Sequence, residues 1–136
     1  MSGMVDEKYK YSELTAKIIG CAMTVHRTFG NGFQERIYQR ALEIEMQLEG
    51  IKFDREFVMP IFYREQRIGT RRVDFLVDNV ISLELKATTQ LDDNHFAQAI
   101  NYLEAYNLEV GLLINFGGTS LNFKRLKNKK YKPVLS

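Results

Sequence analysis

The sequence contains a single cysteine, two prolines and no tryptophan among its 136 residues. One cysteine, Cys21, excludes an internal disulfide framework and a cysteine-based zinc site, and it is typical of a reducing compartment. No apolar run approaches the roughly 18 residues that a membrane-spanning helix needs, and the first ten residues contain no apolar signal segment. We therefore expect a cytoplasmic protein with no membrane segment.

The composition is that of an ordinary globular protein, with 45% hydrophobic and 26% charged residues. This balance and the chain length predict one domain, residues 1–136, with a single core. The net charge of +2 hides an uneven distribution, because residues 122–136 carry six basic residues and no acidic one. Such a run can contact phosphates, or it can be a solvated terminus, and we expect 127–136 to be a flexible basic tail.

Apolar residues at helical spacing predict two helices near the N-terminus. The first is expected to have Ser12 as its N-cap and to end at Gly30. The second is expected to begin just after Gly32 and to stop at Gly50. Its predicted apolar face consists of Phe33, Ile37, Ala41, Ile44 and Leu48.

The rest of the chain reads as strands around one further helix. Four short β-like runs are predicted at 51–57, 58–63, 67–77 and 80–87. A third helix over 92–106 precedes the apolar strand VGLLINF and a last strand at 121–126. The predicted order is α-α-β-β-β-β-α-β-β, and the fold class is α/β of the α+β type, with a mixed central sheet flanked by helices. A strand as continuously apolar as VGLLINF indicates a sheet that is covered on both faces.

Asp74 and Glu84 interrupt two strands that otherwise alternate between apolar and polar residues. Their odd-numbered positions are apolar, and residues that oppose each other in an antiparallel pair share a face, so the connecting loop must have an odd length. A three-residue loop at 78–80 would pair Val77 with Ile81 and Asp74 with Glu84. Two carboxylates about 4.5–5.5 Å apart at Cβ repel unless a proton or a cation lies between them.

Lys86 lies two residues beyond Glu84 and is predicted to share its face. The opposite face is predicted to hold Val73, Phe75, Leu83 and Leu85. A divalent metal would satisfy the paired acids, and the alternative is an ion-pair cluster on a solvated sheet face. Because VGLLINF predicts a sheet covered on both faces, partly buried acids need a partner, and the pattern favours a metal site.

The pattern Asp74, nine residues, then Glu-x-Lys at 84–86 resembles the core signature of the PD-(D/E)xK nuclease superfamily, although Val73 stands where that signature has Pro. Residues 32–38, GFQERIY, match the GxxExxY motif of one bacterial and archaeal branch of the superfamily. The segments HFAQ, NYL and GLLINF also resemble that branch, so the resemblance covers roughly residues 12–126. It implies a restriction-endonuclease-like core.

The resemblance also implies a chemistry, the cleavage of DNA or RNA with Mg²⁺ or Mn²⁺. Asp74 and Glu84 would hold the metal together with the backbone carbonyl of Leu85, and Lys86 would position or activate the attacking water. Glu35 resembles an additional acidic residue of the metal site in some members. Its alternative role is to complement the positive end of its helix.

Four further side chains are assigned by the resemblance or by helical spacing. Gln98 resembles a helix glutamine of exonuclease-like branches and is placed in the catalytic group. His95 and Tyr102 share a polar stripe with Gln98 on the third helix and are expected to support it. Tyr38 is expected to hydrogen-bond Glu35, or else to belong to the core.

The expected partner is nucleic acid, contacted by Arg71, Arg72, Lys124 and Lys127. The arginines are equally typical of a solvated strand edge. Besides an active nuclease, the chain fits a catalytically silent nucleic-acid-binding or regulatory module, or an interaction protein. Because no separate recognition domain is evident, a homodimer or a protein partner is left open as the source of specificity.

Overall fold

The computed structural model describes residues 10–134. Residues 1–9, which include most of the N-terminal segment inspected for a signal, and 135–136, the end of the basic run, lie outside the described part. Within it, no helix has the length and apolar character to cross a membrane. The elements are α1 Ser12–Phe29, α2 Glu35–Leu48, β1 Phe53–Tyr63, β2 Gln66–Val77, β3 Ile81–Lys86, α3 Asp93–Tyr106, β4 Val110–Asn115 and β5 Asn122–Lys127.

The five strands form one sheet in the order β1-β2-β3-β4-β5. β3 and β4 are parallel, and the other neighbouring pairs are antiparallel. The predicted mixed sheet flanked by helices and the predicted order of elements are confirmed, except that four strands were expected before α3 where the structure has three.

The runs 51–57 and 58–63 form the single strand β1. Glu56 has a φ of 53°. The strand continues through this residue, but the side chains before and after it contact opposite faces of the sheet. Phe53 packs against the core under one face of the sheet, and Phe57 packs against the core under the other. Pro60 is tolerated because β1 lies at the edge of the sheet.

Two apolar clusters cover the two faces of the sheet. One contains residues of α1 and α2 together with Leu83 and Leu85 of β3. The other contains Ala99 and Leu103 of α3. All six residues of β4 are buried, because its side chains alternate between the two clusters.

The apolar face predicted for α2 is wrong. The residues of α2 that are buried are Tyr38, Gln39, Leu42 and Met46. Ile44 is 56% exposed and Leu48 is 77% exposed. Apolar residues occupy two sides of this helix, and periodicity alone does not choose between two apolar sides. Packing against α1 and the sheet selected the side that carries Tyr38.

The turn between α1 and α2 also differs from the expectation. The N-cap of α1 is Tyr11 rather than the predicted Ser12, whereas Gly30 caps the end of the helix as predicted, with a φ of 70° that suits glycine. α2 begins at Glu35, with Gln34 as its N-cap. A Cβ on Gly32 would meet no atom within 4 Å. Gly32 is therefore not required for a close approach of the helix to the sheet.

Part of the basic tail is bound to the domain rather than free. The Asn107 side-chain amide donates to the Lys132 carbonyl at 2.8 Å, and the Lys132 N–H donates to Asn107 Oδ1 at 3.0 Å. Asn128 is buried, and its amide donates to the carbonyls of Leu103 and Leu108. Asn128 and Lys132 are thus tied to the end of α3.

Candidate active site

The candidate site lies where β2 separates from β3. β2 pairs with β3 through Phe75, Leu76 and Val77, and Val77 lies opposite Ile81, which confirms the predicted three-residue loop. Further along β3, the N–H of Leu85 donates to Asp74 Oδ2 at 2.8 Å. A carboxylate of β2, rather than its backbone, therefore accepts the hydrogen bond at the point where the strands part.

The side chains of β2 change from one face of the sheet to the other at Asp74, as those of β1 do at Glu56. Phe75 belongs to the cluster under α1 and α2, whereas Val73 belongs to the cluster under α3. The prediction that Val73 shares a face with Phe75 is therefore wrong. In the register of the two strands, Glu56 falls opposite Asp74, so one irregularity in the β1–β2 pair changes the faces of both strands.

Asp74 is held by donors on both oxygens. Besides the bond from Leu85, the side-chain amide of Gln39 donates to Asp74 Oδ1 at 3.0 Å. Burial raises the pKa of Asp74, and the hydrogen bonds from Leu85 and Gln39 oppose that rise. Sequence reasoning missed Gln39, although a signal existed, because Gln39 lies four residues after Glu35 and so shares its side of α2.

Glu84 lies beside Asp74 but is not satisfied in the same way. It is 7% exposed, and its Oε1 is buried with no hydrogen-bond partner among the described residues. Burial first, and the Asp74 carboxylate second, raise the pKa of Glu84 from 4.5 to about 8, against the opposing charges of Arg71 and Lys86. At neutral pH and without a cation, this carboxyl group is mostly protonated.

A narrow crevice joins Glu84 to α3. It is lined by Arg71, Glu84, Lys86, His95, Gln98, Ala99, Tyr102 and Leu113. The structure therefore brings the predicted residues Lys86, Gln98, His95 and Tyr102 to Glu84. Lys86 reaches this crevice from the end of β3, on the same face of the sheet as Glu84, as predicted.

Arg71 and Tyr102 form a stacked pair at the wall of the crevice. The Arg71 guanidinium carbon lies 3.7 Å from the centre of the Tyr102 ring, and Arg71 Nε is buried without a hydrogen-bond partner in the described part of the chain. Burial raises the pKa of Tyr102, Arg71 opposes this, and Glu84 adds to it. The pair thus places a cation next to the buried acid.

Glu35, the first residue of α2, reaches the site from the other side of Asp74. An open cleft of ≈ 230 Å³ is lined by Glu35, Arg36, Gln39, Glu56, Arg72 and Asp74. Burial raises the pKa of Glu35 although the residue retains solvent exposure, Lys86 and His95 oppose the rise, and Asp74 adds to it. The shared cleft brings α2 to β2, and the hydrogen bond from Leu85 to Asp74 brings β3 to the same acid.

Two predicted supporting residues have structural tasks. The Tyr38 hydroxyl donates to the Gly30 carbonyl at 2.6 Å and accepts from the Phe33 N–H at 3.1 Å, rather than bonding Glu35. The Tyr38 ring is fully buried and stacks on Phe116 at 4.6 Å. It closes the α1–α2 turn.

His95 caps α3 together with Asp92. The ring Nδ1 of His95 accepts from the backbone N–H of Asp92 at 3.1 Å, and the backbone N–H of His95 donates to Asp92 Oδ1 at 3.0 Å. If the ring is neutral, this arrangement places its proton on Nε2. His95 therefore has a capping task as well as its place in the crevice.

The four predicted nucleic-acid contacts do not form one surface. Arg71 faces the crevice, whereas its neighbour Arg72 lines the cleft near Glu35 and lies 4.0 Å from Glu56. Lys124 and Lys127 are on β5, at the edge of the sheet beyond β4, and three residues apart on a strand they point to opposite faces. The two lysines are therefore not part of the acidic site.

The end of β3 is fixed by Asn115, which sequence reasoning also missed. Asn115 is fully buried, its Oδ1 accepts from the N–H groups of Thr88 and Gly117, and its amide donates to the Thr88 carbonyl. A Cβ on Gly117 would lie 2.2 Å from the Thr88 carbonyl oxygen, so the two loops approach as only glycine permits. An Asn inside VGLLINF was the available signal. Lys86, which pairs with Asn115, is thereby positioned.

A divalent metal fits the acids at this site. The Lys86 carbonyl accepts from Phe116, so the backbone groups of Leu85 face the other way, toward Asp74. Asp74, Glu84 and the Leu85 carbonyl therefore offer hard oxygen donors, and Glu84 Oε1 has no other partner among the described residues. In the described part of the chain, no three His, Cys, Asp or Glu side chains are grouped as metal ligands. Mg²⁺ is commonly held by one or two carboxylates, with water and substrate phosphate completing its shell.

The layout of the sheet and the acids at its fork define a restriction-endonuclease-like fold, and the comparisons agree. Among the solved structures, the crystal structure of SSO0001 is similar, with a TM-score of 0.56 at 17% identity, over 68% of this chain and 49% of the other. The chain thus spans about half the length of that structure, and the similarity concerns the fold alone. A family model for the PD-(D/E)XK nuclease superfamily matches residues 12–126, and the chain belongs to that superfamily. No curated protein matches the sequence.

Proposed function

We propose that this protein is a metal-dependent nuclease that cleaves phosphodiester bonds of DNA or RNA at the fork between β2 and β3. The observation that carries the proposal is the buried, unpartnered Oε1 of Glu84 beside Asp74 and Lys86. A buried carboxyl group without a partner is costly to ionise, and a bound divalent cation would supply the positive charge that favours its ionised form.

Asp74, Glu84 and the carbonyl of Leu85 would hold Mg²⁺ or Mn²⁺, with Glu35 close enough to influence the same charges. When bound, the ion would offset the acids and supply Lewis acidity toward a phosphate. Because Asp74 already has a donor on each oxygen, its orientation is set before any ligand arrives.

Lys86 is the proposed catalytic cation of the chain itself. It lines the crevice with Glu84, and its charge lowers the pKa of Glu35, Asp74 and Glu84. From there it can orient a water molecule and stabilise negative charge that develops on the attacking oxygen or the phosphate. Gln98 and His95, in the same crevice, are proposed to hydrogen-bond the substrate or this water.

The finer assignment is to the GxxExxY branch, on the strength of Gly32, Glu35 and Tyr38. In this protein Tyr38 builds the α1–α2 turn and Glu35 stands beside the acids, so the motif combines a structural and a chemical residue. We assign nucleic acid as the partner, contacted by Arg71 and Arg72 on either side of β2. A single domain and a cytoplasmic location belong to the same proposal.

The test is a cleavage assay on single- and double-stranded DNA and RNA, with Mg²⁺, Mn²⁺ or EDTA. We expect metal-dependent cleavage that Lys86→Ala abolishes and that Lys17→Ala, an exposed lysine on α1, leaves unchanged. Cleavage that persists in EDTA, or in Lys86→Ala at the wild-type rate, would contradict the proposal.

The alternative is a catalytically silent module, and one observation favours it. Among the described residues, no three His, Cys, Asp or Glu side chains are grouped as metal ligands. If none of the substrates is cleaved while Mn²⁺ still binds and wild-type protein retains nucleic acid, the silent module is the correct assignment.

A further inference from the structure

Arg71 and Glu84 carry opposite charges and line the same crevice, yet they form no ion pair with each other. Arg71 Nε and Glu84 Oε1 are both buried, and neither atom has a hydrogen-bond partner among the described residues. Burial raises the pKa of Glu84, and the charge of Arg71 opposes that rise. An arginine and a carboxylate in one narrow crevice ordinarily form a bidentate pair. The arrangement therefore requires a third group that keeps Arg71 in place.

The Tyr102 ring of α3 is the group that holds Arg71. The guanidinium carbon of Arg71 lies 3.7 Å from the centre of this ring, which is the distance of direct stacking. The backbone directs Arg71 to α3, because Arg71 lies opposite Met59 of β1, and Met59 is buried in the cluster under α3. Stacking occupies one face of the guanidinium and leaves its N–H edge free to bond a ligand.

The neighbouring arginines of β1 and β2 are already engaged with acids. Arg55 lies 3.3 Å from Glu43 and 3.2 Å from Glu56, and Arg72 lies 4.0 Å from Glu56. Arg71 has no acidic partner within the described part of the chain, and the ring that holds it is uncharged. Its charge is therefore left for an anion that comes from outside the chain.

We propose that Tyr102 is a positioning residue that holds Arg71 away from Glu84, so that Glu84 stays available to a divalent cation and Arg71 to a phosphate of the nucleic acid. The inference rests on the proposed function, because it takes the metal and the nucleic acid as the ligands of the site. The N–H fork of a guanidinium fits a phosphate as well as it fits a carboxylate. If Arg71 turned onto Glu84, the pair would occupy the metal ligand and the phosphate donor at once.

The first experiment is titration calorimetry with Mn²⁺. Tyr102→Leu should weaken Mn²⁺ binding about tenfold, because Arg71 can then pair with Glu84, and that charged hydrogen bond must break before the ion binds. Tyr102→Phe keeps the ring and should retain the wild-type affinity. Adding Arg71→Gln to Tyr102→Leu should restore the affinity, because the competing cation is gone. A merely structural role of Tyr102 would not produce this restoration.

The matched control is Tyr106→Leu. Tyr106 lies one turn further along α3, and its ring contacts Phe57, with centres 5.6 Å apart, rather than Arg71. The same substitution there should leave Mn²⁺ binding unchanged. Circular dichroism checks that each variant is folded, and Tyr102→Met replaces Tyr102→Leu if the latter is not.

Two results of the calorimetry would overturn the inference alone. One is a Tyr102→Leu protein that binds Mn²⁺ as tightly as wild type. The other is a double variant that binds Mn²⁺ no better than Tyr102→Leu. A wild-type protein that binds no Mn²⁺ would overturn the proposed function and this inference together.

The second experiment measures the phosphate contact without metal or cleavage. Labelled single- and double-stranded DNA and RNA are titrated in EDTA over a salt series, with fluorescence anisotropy as the readout. Arg71→Gln should weaken binding and reduce the slope of log affinity against log salt by about one, as the loss of one phosphate contact requires. Lys17→Gln, which removes an exposed charge on α1, should leave the slope unchanged.

The same Arg71→Gln protein should bind Mn²⁺ at least as tightly as wild type, because a cation beside the acids has been removed. An unchanged salt slope, weaker Mn²⁺ binding, or a wild-type protein that binds none of the four nucleic acids would overturn the assignment of Arg71. If both binding experiments give the expected results but wild type cleaves no substrate, only the proposed nuclease activity fails.

Discussion

The two sides of the fork between β2 and β3 are built differently. On one side, both oxygens of Asp74 accept hydrogen bonds, from Gln39 and from the backbone of Leu85. On the other side, Glu84 is more deeply buried against α3 and leaves Oε1 without a partner in the described part of the chain. The fold completes the surroundings of Asp74 by itself, whereas it leaves those of Glu84 to a ligand. One site thus combines a preorganised acid with an acid that is costly to ionise.

The largest expected effect is the same on both sides, because both acids are proposed to hold the metal. Asp74→Asn and Glu84→Gln should each lower the cleavage rate by at least about 10²-fold, since either change removes a negative ligand. Initial rates at saturating Mg²⁺ measure this. Glu65→Gln, in the exposed β1–β2 turn, serves as the control. Near-normal activity in either variant would remove that acid from the chemistry.

A smaller effect is expected from Gln39, which acts through Asp74. Gln39→Leu should weaken Mn²⁺ binding about tenfold, because the carboxylate loses the donor that orients it. Titration calorimetry measures the affinity, and Gln47→Leu, an exposed position on the same helix, is the matched control. If both variants bind Mn²⁺ equally well, Gln39 has no part in positioning Asp74.

In the metal-free protein, the substitutions of Asp74 and of Glu84 should change the free energy of unfolding in opposite directions. Asp74→Asn leaves a donor facing a donor and should lower the free energy of unfolding by about 1–3 kcal/mol. Glu84→Gln should raise it at pH 9, because it removes a buried charge that has no partner. Urea denaturation of the metal-free proteins measures both changes. If both substitutions changed the free energy of unfolding equally and in the same direction, the difference between the hydrogen bonding of Asp74 and that of Glu84 would have no effect on stability.

The pH dependence follows from the raised pKa of Glu84. This carboxyl group ionises near 4.5 in the unfolded chain and near 8 in the folded protein, so the folded state holds the extra proton between those values. Stability of the metal-free protein should therefore fall as pH rises from about 4.5 to about 8, and this contribution should be absent from Glu84→Gln. Thermal denaturation across this range checks the prediction. A Glu84→Gln difference that is independent of pH would contradict it.

The smallest effect on cleavage is expected from Tyr38, which lies outside the proposed site. Tyr38→Phe removes the hydroxyl that joins Gly30 to Phe33 and should cost about 1–2 kcal/mol of stability while leaving cleavage and Mn²⁺ affinity unchanged. A variant with normal stability but reduced cleavage would instead return Tyr38 to the site, as its place in the motif first indicated.

Much of the site was predictable because the relevant patterns are local. The three-residue loop and the pairing of Val77 with Ile81 followed from the alternation of apolar residues in two strands. Gln39 was less accessible, because its contact with Asp74 joins residues 35 positions apart in the chain. The stacking of Arg71 on Tyr102 joins β2 to α3 and likewise has no local signal.

By itself, the sequence determined the order of helices and strands, the register of the β2–β3 hairpin and the presence of two acids and a lysine at its end. These features depend on spacing along a few residues, and spacing is a local property. Only the tertiary structure decided that β2 turns over at Asp74, that α2 buries its Tyr38 side, and that Glu84 lacks a partner. Each of these depends on which surfaces, distant in the chain, compete to bury one another, and that competition is settled when the whole domain packs.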